Sequence, residues 1–136
     1  MVSPEQSVVS LDQTFERGGL YSVRAAVAAH ASSLGASPSQ VAHLVLISSE
    51  LVTNAIAYGG GNGRIRLWRE ASQVHCEISD RGPGIPESTD LGHNQPAAAS
   101  QRGRGLWVAR TLSDDIKIVT SSAGTSVTVS MTVAKA

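Results

Sequence analysis

Residues 48–60, SSELVTNAIAYGG, place a carboxylate, Glu50, and a carboxamide, Asn54, four positions apart in a stretch otherwise suited to a buried helix. That spacing is about one helical turn, so both side chains project from one face. Two glycine clusters follow. In SDRGPGIPE, Asp80 can accept hydrogen bonds from backbone amides or from a ligand's amino group, while Gly82 and Gly84 let the main chain turn tightly and approach a flat ligand. In QRGRGLW, Gly103 and Gly105 stand at an expected loop-to-helix junction, where amides and the helix dipole favour phosphate, with Arg102 and Arg104 adding positive charge. Each segment alone also has an ordinary explanation: a solvated helix face, an Asx-turn and a capped helix start.

The elements that would carry these residues are readable from pattern. Val8 to Phe15 is short and mildly apolar, as an edge strand would be. The next segment has apolar residues at Leu20, Val23, Val27 and Leu34 and stops at Gly35, which predicts a helix. A second helix is better marked: Ser37 caps it, Pro38 takes its first position and Gln40 completes a capping box. Val41, Leu44, Val45, Val52, Ala55 and Ile56 form its core stripe, with Ser48 small enough for close approach on that side. His43, Ile47, Glu50 and Asn54 then fall on the opposite side, and YGGGNG ends the helix.

Two strands follow, with Ile65 and Leu67 alternating against Arg64, Arg66 and Trp68, and Val74, Cys76 and Ile78 against His75, Glu77 and Ser79. The short connection at Ala71 and Ser72 makes them an antiparallel pair. Regularity lapses from Asp80 to Gly103; GLWVARTLSD restores a helix, and DIKIVTS with GTSVTVSMTV closes the pattern as a hairpin. The expected class is α+β: a two-layer sandwich of a mixed, mostly antiparallel sheet against three helices. A doubly wound parallel fold would need repeated crossovers and an early glycine-rich turn, and neither is present.

The chain has 136 residues, a length suited to one domain spanning 1–136. Eleven basic residues balance eleven acidic ones for a formal net charge of +0, which argues against gripping nucleic acid or an anionic membrane. Cys76 is the single cysteine, so neither an internal disulfide nor a thiolate metal cluster is available, and its strand position suits a small buried side chain. The start lacks a signal peptide's basic region and apolar run, and no stretch is expected to approach a membrane span. A reduced, cytoplasmic location is the expectation.

Taken together, E50-L-V-T-N54-A, D80-R-G82-P-G84-I, R102-G103-R104-G105-L106 and the later G124-T125 resemble the ordered ATP-binding boxes of the Bergerat-fold superfamily of gyrase-type ATPases, heat-shock chaperones, histidine kinases and mismatch-repair proteins. Small size and GRGLWVA resemble most the bacterial anti-sigma-factor serine/threonine kinases and their actinobacterial relatives, over about residues 15–133. The resemblance implies ATP and Mg2+ as cofactors. It makes Glu50 the general base and Asn54 the magnesium ligand. Asp80 would read the adenine amino group, with Gly82 and Gly84 flanking the base and Thr125 supplying a hydroxyl beside Gly124. A mobile lid of about 85–103 would end on Gly103, Gly105 and Leu106 at the phosphates, which Arg102 or Arg104 would clamp.

The same resemblance implies the partners: a small anti-sigma-factor antagonist as phosphorylation substrate, a sigma factor, and a second copy in a homodimer. Neither nucleic acid nor a membrane is expected. Trp68, Leu20 and Tyr21 are candidate contact residues or core. A second reading keeps the fold but gives it a regulatory binding role with little or no phosphotransfer. A stand-alone histidine kinase would need phosphoacceptor helices, and a gyrase- or chaperone-like motor a transducer domain, for which the chain has no room. Tyr58 departs from the pattern, standing where many relatives place a histidine; its hydroxyl does not titrate near neutrality.

Overall fold

A computed structural model describes residues 7–86, 91–93 and 101–133, with backbone only for residues 7, 8, 101 and 102. Its elements run β1 (Ser7–Glu16), α1 (Leu20–Ser33), α2 (Pro38–Tyr58), β2 (Asn62–Glu70), β3 (Gln73–Asp80), α3 (Gln101–Leu112), β4 (Asp115–Ser121) and β5 (Gly124–Thr132). The strands form one sheet in the order β1-β2-β3-β5-β4. Every adjacent pair is antiparallel, so the mostly antiparallel sheet expected from the sequence is antiparallel throughout the described strands. The edge placement of β1 is as expected.

One face of this sheet carries the core. Ile65 and Leu67 of β2, Val74, Cys76 and Ile78 of β3, and Val127, Val129 and Met131 of β5 are all buried against the helices. Alternation follows from the pleat, which sends every second side chain to the same face. Burial pushes the Cys76 thiol up to about 12, with the neighbouring Glu77 charge adding to the shift. The other face is polar: Arg64 donates from Nε and Nη2 to the two Asp12 carboxylate oxygens at 2.7 and 2.5 Å. That pairing lowers the Asp12 pKa through the hydrogen bond first. Trp68, a candidate contact or core residue, is stacked on His75 with ring centroids 5.1 Å apart and is half-buried. Of the other two candidates, Leu20 packs against the core and Tyr21 is exposed.

Helix α2 begins as its sequence predicts. Ser37 Oγ accepts from the Gln40 amide, Gln40 Oε1 accepts from the Ser37 amide, and Pro38 holds the first position. Gln40 also donates through Nε2 to the Thr132 carbonyl at 2.7 Å, fastening the helix to the end of β5. Two expectations for this helix need correcting. Ile47, assigned to the side away from the core, is fully buried, and Leu51 is buried too, because α2 is enclosed by α1, α3 and the sheet and has more than one apolar face. Contrary to the expectation that no stretch approaches a membrane span, this 21-residue helix is long and apolar enough to be one. Leu44, Ile47, Leu51, Val52 and Ala55 of this helix pack in the core, while Leu46 is exposed.

Candidate functional site

The expected site residues arrive from three directions. Glu50 and Asn54 come from the middle of α2, Asp80 from the end of β3, and Gly103, Arg104, Gly105 and Leu106 from the start of α3. Of these, Asn54, Asp80 and Leu106 line a cavity of about 330 Å3, which includes space continuous with solvent; Glu50, Gly103, Arg104 and Gly105 do not line it. Its walls include Asn54 and Leu51 of α2, Asp80 and Ile78 of β3, Leu106 of α3, Thr125 and Val127 of β5, and Ile85. Four of the residues singled out from sequence, drawn from four separate elements, therefore face a single space.

At one end the backbone is tightly fitted. The Gly82 amide donates to Asp80 Oδ1 at 2.9 Å, closing an Asx-turn after β3. A Cβ on Gly82 would lie 2.5 Å from the Gly59 Cα, and one on Gly59 would meet the Asp80 carboxylate. These glycines let the end of α2 and the turn after β3 touch main chain to main chain. Gly84 has φ +87°, where L residues are strained, and it lies against the Ser121 carbonyl without lining the cavity.

Thr125 is buried opposite Asp80 in the β3–β5 ladder. Its Oγ1 is 2.9 Å from Thr120 Oγ1, which accepts from the Ile85 amide at 2.8 Å. Thr120 was not among the residues expected at the site, and Ile85 was expected only as the start of the lid. The first was recoverable: the tight β4–β5 turn at residues 122–123 sets Thr120 opposite Thr125.

The other end is built by two helices meeting. Helix α3 starts at Gln101, not at Gly105, so Gly103 and Gly105 lie within its first five residues. Gly105 lies beyond the first turn of the described helix, Gln101–Arg104. Gly105 has another use. A Cβ there would stand 2.8 Å from Asn54 Nδ2 and 3.5 Å from the Glu50 Cβ, so its absence allows α3 to lie directly against the polar face of α2.

Arg104, next to it, reaches Glu50: Nη2 donates to Oε2 at 3.3 Å, with the arginine side chain 55% exposed and the glutamate 16%. Arg102 lies in the same turn, but its side chain is outside the described residues. Of the expected lid, residues 87–90 and 94–100 are also outside them. The described piece between is anchored: Arg110 donates to the Leu91 carbonyl at 2.9 Å through Nη2, and a Cβ on Gly92 would stand 2.5 Å from the Leu106 carbonyl. Tyr58 is partly exposed at the end of α2.

These residues fit an adenine nucleotide. The cavity is apolar along Leu51, Ile78, Leu106 and Val127, as a base requires, with the Asp80 carboxylate placed to accept from an exocyclic amine. Asn54, buried and lining the same space, offers a neutral oxygen of the hard type that magnesium takes. No group of three or more His, Cys, Asp or Glu side chains among the described residues is arranged to hold a metal, so an ion at Asn54 would take most of its ligands from phosphates and water.

Comparison with known proteins agrees with this geometry. Residues 16–131 match the model of the histidine kinase-like ATPase domain family. A search among curated proteins returns no match. Among solved structures, the chain is similar to the RsbU and RsbW domains of Rv1364c from Mycobacterium tuberculosis, with TM-score 0.66 and 20% identity over 92% of this chain and 32% of that one. It is similar to the histidine kinase domain of the blue-light activated histidine kinase from Erythrobacter litoralis EL346, with TM-score 0.54 and 22% identity over 69% of this chain and 45% of that one. The histidine kinase AdeS of Acinetobacter baumannii gives TM-score 0.58 and 13% identity over 90% and 68% of the two chains. The chain thus spans less than half the length of the first two.

Proposed function

This chain belongs to the histidine kinase-like ATPase domain family, and from that membership we propose that it is a cytoplasmic, ATP- and magnesium-dependent serine/threonine kinase whose substrate is a small anti-sigma-factor antagonist. The observation that carries the nucleotide site is the single cavity lined by Asn54, Asp80, Leu106 and Thr125 together. The substrate class rests on the GRGLWVA segment and on the likeness to an RsbW domain.

In this reading Asp80 Oδ2 accepts from the adenine amine, Gly82 and Gly84 flank the base, and Thr125 supplies a neighbouring hydroxyl. Asn54 would ligate a magnesium ion, which supplies charge neutralisation at the phosphates when bound. Gly103, Gly105 and Leu106, with Arg102 or Arg104, form the phosphate end. Glu50 takes the proton from the partner's serine or threonine hydroxyl. The freed oxygen forms its bond to the γ-phosphorus as the bond to the β–γ bridging oxygen breaks, and ADP leaves. Phosphorylation adds close to two negative charges to the antagonist and releases it, freeing the kinase, as a homodimer, to hold a sigma factor.

One observation favours a binding module with little transfer: the carboxylate assigned as base is occupied by Arg104. Incubating the purified chain with candidate antagonists from its own organism and γ-labelled ATP separates the two. Label on the partner that disappears in Glu50→Gln supports the kinase. Tight complex formation with no label, from wild type and variant alike, assigns the binding role instead.

A further inference from the structure

The Glu50–Arg104 pair is lopsided. Glu50 is held in the wall of α2 and mostly covered, whereas Arg104 carries its guanidinium on a half-exposed stem. The contact at 3.3 Å is longer than a tight charge-assisted bond, and a pair with one open partner contributes at most a few-fold to an equilibrium. Gly105 fixes where the stem begins: its bare Cα packs on Asn54 and Glu50, so the Arg104 backbone is pinned beside both residues while its side chain can swing. Asn54, one turn beyond Glu50, lines the cavity. Arg104 therefore touches Glu50 directly and adjoins, through Gly105, the Asn54 side chain that lines the cavity.

A terminal phosphate offers this guanidinium two parallel hydrogen bonds and more negative charge than a carboxylate, so the two compete for one cation and the phosphate is the stronger ligand. We propose that Arg104 distinguishes triphosphate from diphosphate by changing partners, covering Glu50 when the site is empty or holds ADP and leaving it for the γ-phosphate of ATP. The carboxylate is then uncovered only when a phosphoryl group is present to be transferred. This inference rests on the nucleotide reading above and accounts for the occupied base as a resting state of the kinase. Arg104 acts as a specificity-determining residue, and lysine would replace it poorly, because a single ammonium lacks the fork that matches two phosphate oxygens.

The test is a cycle of calorimetric titrations with Mg-ADP and with the magnesium complex of β,γ-imido-ATP, which is not turned over. Wild type, Arg104→Ala, Arg104→Lys, Glu50→Gln and the double variant Arg104→Ala/Glu50→Gln are compared. Arg104→Ala is expected to lose about tenfold in affinity for the triphosphate analogue and to bind ADP within about twofold of wild type, with Arg104→Lys in between. Glu50→Gln is expected to gain a few-fold for the analogue alone, because Arg104 no longer has a competing partner. In the Arg104→Ala background that gain should vanish.

An equal gain with and without Arg104 would mean that Glu50 merely repels phosphate, and the exchange would be wrong. Equal losses for both nucleotides in Arg104→Ala would overturn it as well, since the arginine would not be reading the third phosphate. If no variant and not even the wild type bound either nucleotide, the nucleotide site itself would fall, a failure recognisable before any comparison among variants.

Discussion

The two ends of the cavity are made from the same kinds of residue and behave differently. At the Asp80 end, an acid and its neighbouring glycines are locked: the carboxylate accepts from the Gly82 amide, and main chain meets main chain at Gly59. At the Glu50 end, an acid and a neighbouring glycine are joined through a half-exposed arginine side chain. Backbone contacts have no rotamers to change, whereas a long cation does. The Asp80 end is thus preformed, and the Glu50 end keeps an adjustable part.

The largest expected effect lies at the adjustable end. Glu50→Gln should lower phosphotransfer by roughly 10²–10⁴-fold while keeping nucleotide bound, because it removes a proton acceptor and preserves shape. Transfer assays beside calorimetry check this, and wild-type turnover in the variant would end the assignment of Glu50 as base. At the preformed end, Asp80→Asn should act on binding and selectivity. Losing a charged acceptor for the adenine amine costs roughly 10–100-fold in ATP affinity and erases the preference over GTP. If both proteins bound ATP and GTP equally, Asp80 would not read the base.

Stability should divide the two ends in the same way. Gly82→Ala sets a Cβ 2.5 Å from the Gly59 backbone, and Gly105→Ala sets one 2.8 Å from the tip of the Asn54 side chain. Backbone yields less than a side-chain terminus, so urea unfolding should show about 1–3 kcal/mol lost at Gly82 and less at Gly105. The reverse order would contradict the division into rigid and adjustable ends.

The smallest effect belongs to Cys76, beneath both ends in the sheet, and it serves as a reference. Its thiol is pushed up to about 12 by burial, against 9.0 without it. The unfolded chain therefore gives up this proton first. The contribution is intact below about pH 9 and is lost as the pH climbs towards 12. At neutral pH a thiol reagent should label Cys76 only as fast as the sheet opens, and labelling of the intact fold at the rate of an exposed thiol would show the burial to be wrong.

How much of this is legible in the sequence depends on range. Local signals were sufficient for the capping box at Ser37 and Gln40 and for the strand alternation around Ile65 and Cys76, since neighbours a few positions apart determine both. That Asp80 and Thr125 would face one cavity was legible through their motif order. What escaped was everything decided by where α3 lands. Ile47 looked solvated because helical period cannot tell that a second face will be covered. Gly103 and Gly105 looked like a loop-to-helix junction, although both lie within α3, and at Gly105 close packing against Asn54 offsets the low helix propensity of glycine. The Glu50–Arg104 contact joins residues 54 positions apart, and no spacing rule reaches that far.

The strand order has a kinetic consequence. Between β2 and β5 sits β3, so the central strand gains its second neighbour from the last of the described strands, while β4, made earlier, attaches only through β5. On a ribosome, β1, β2 and β3 with their two helices can assemble into a half-sheet whose inner edge stays open, an invitation to wrong pairing until β5 arrives. Closing that edge is a long-range event and should limit the folding rate. The clasp from Gln40 to the Thr132 carbonyl, which spans 92 residues, can form only afterwards. Thr125 enters on the same strand, so a nascent chain has no finished cavity until its fold is nearly complete.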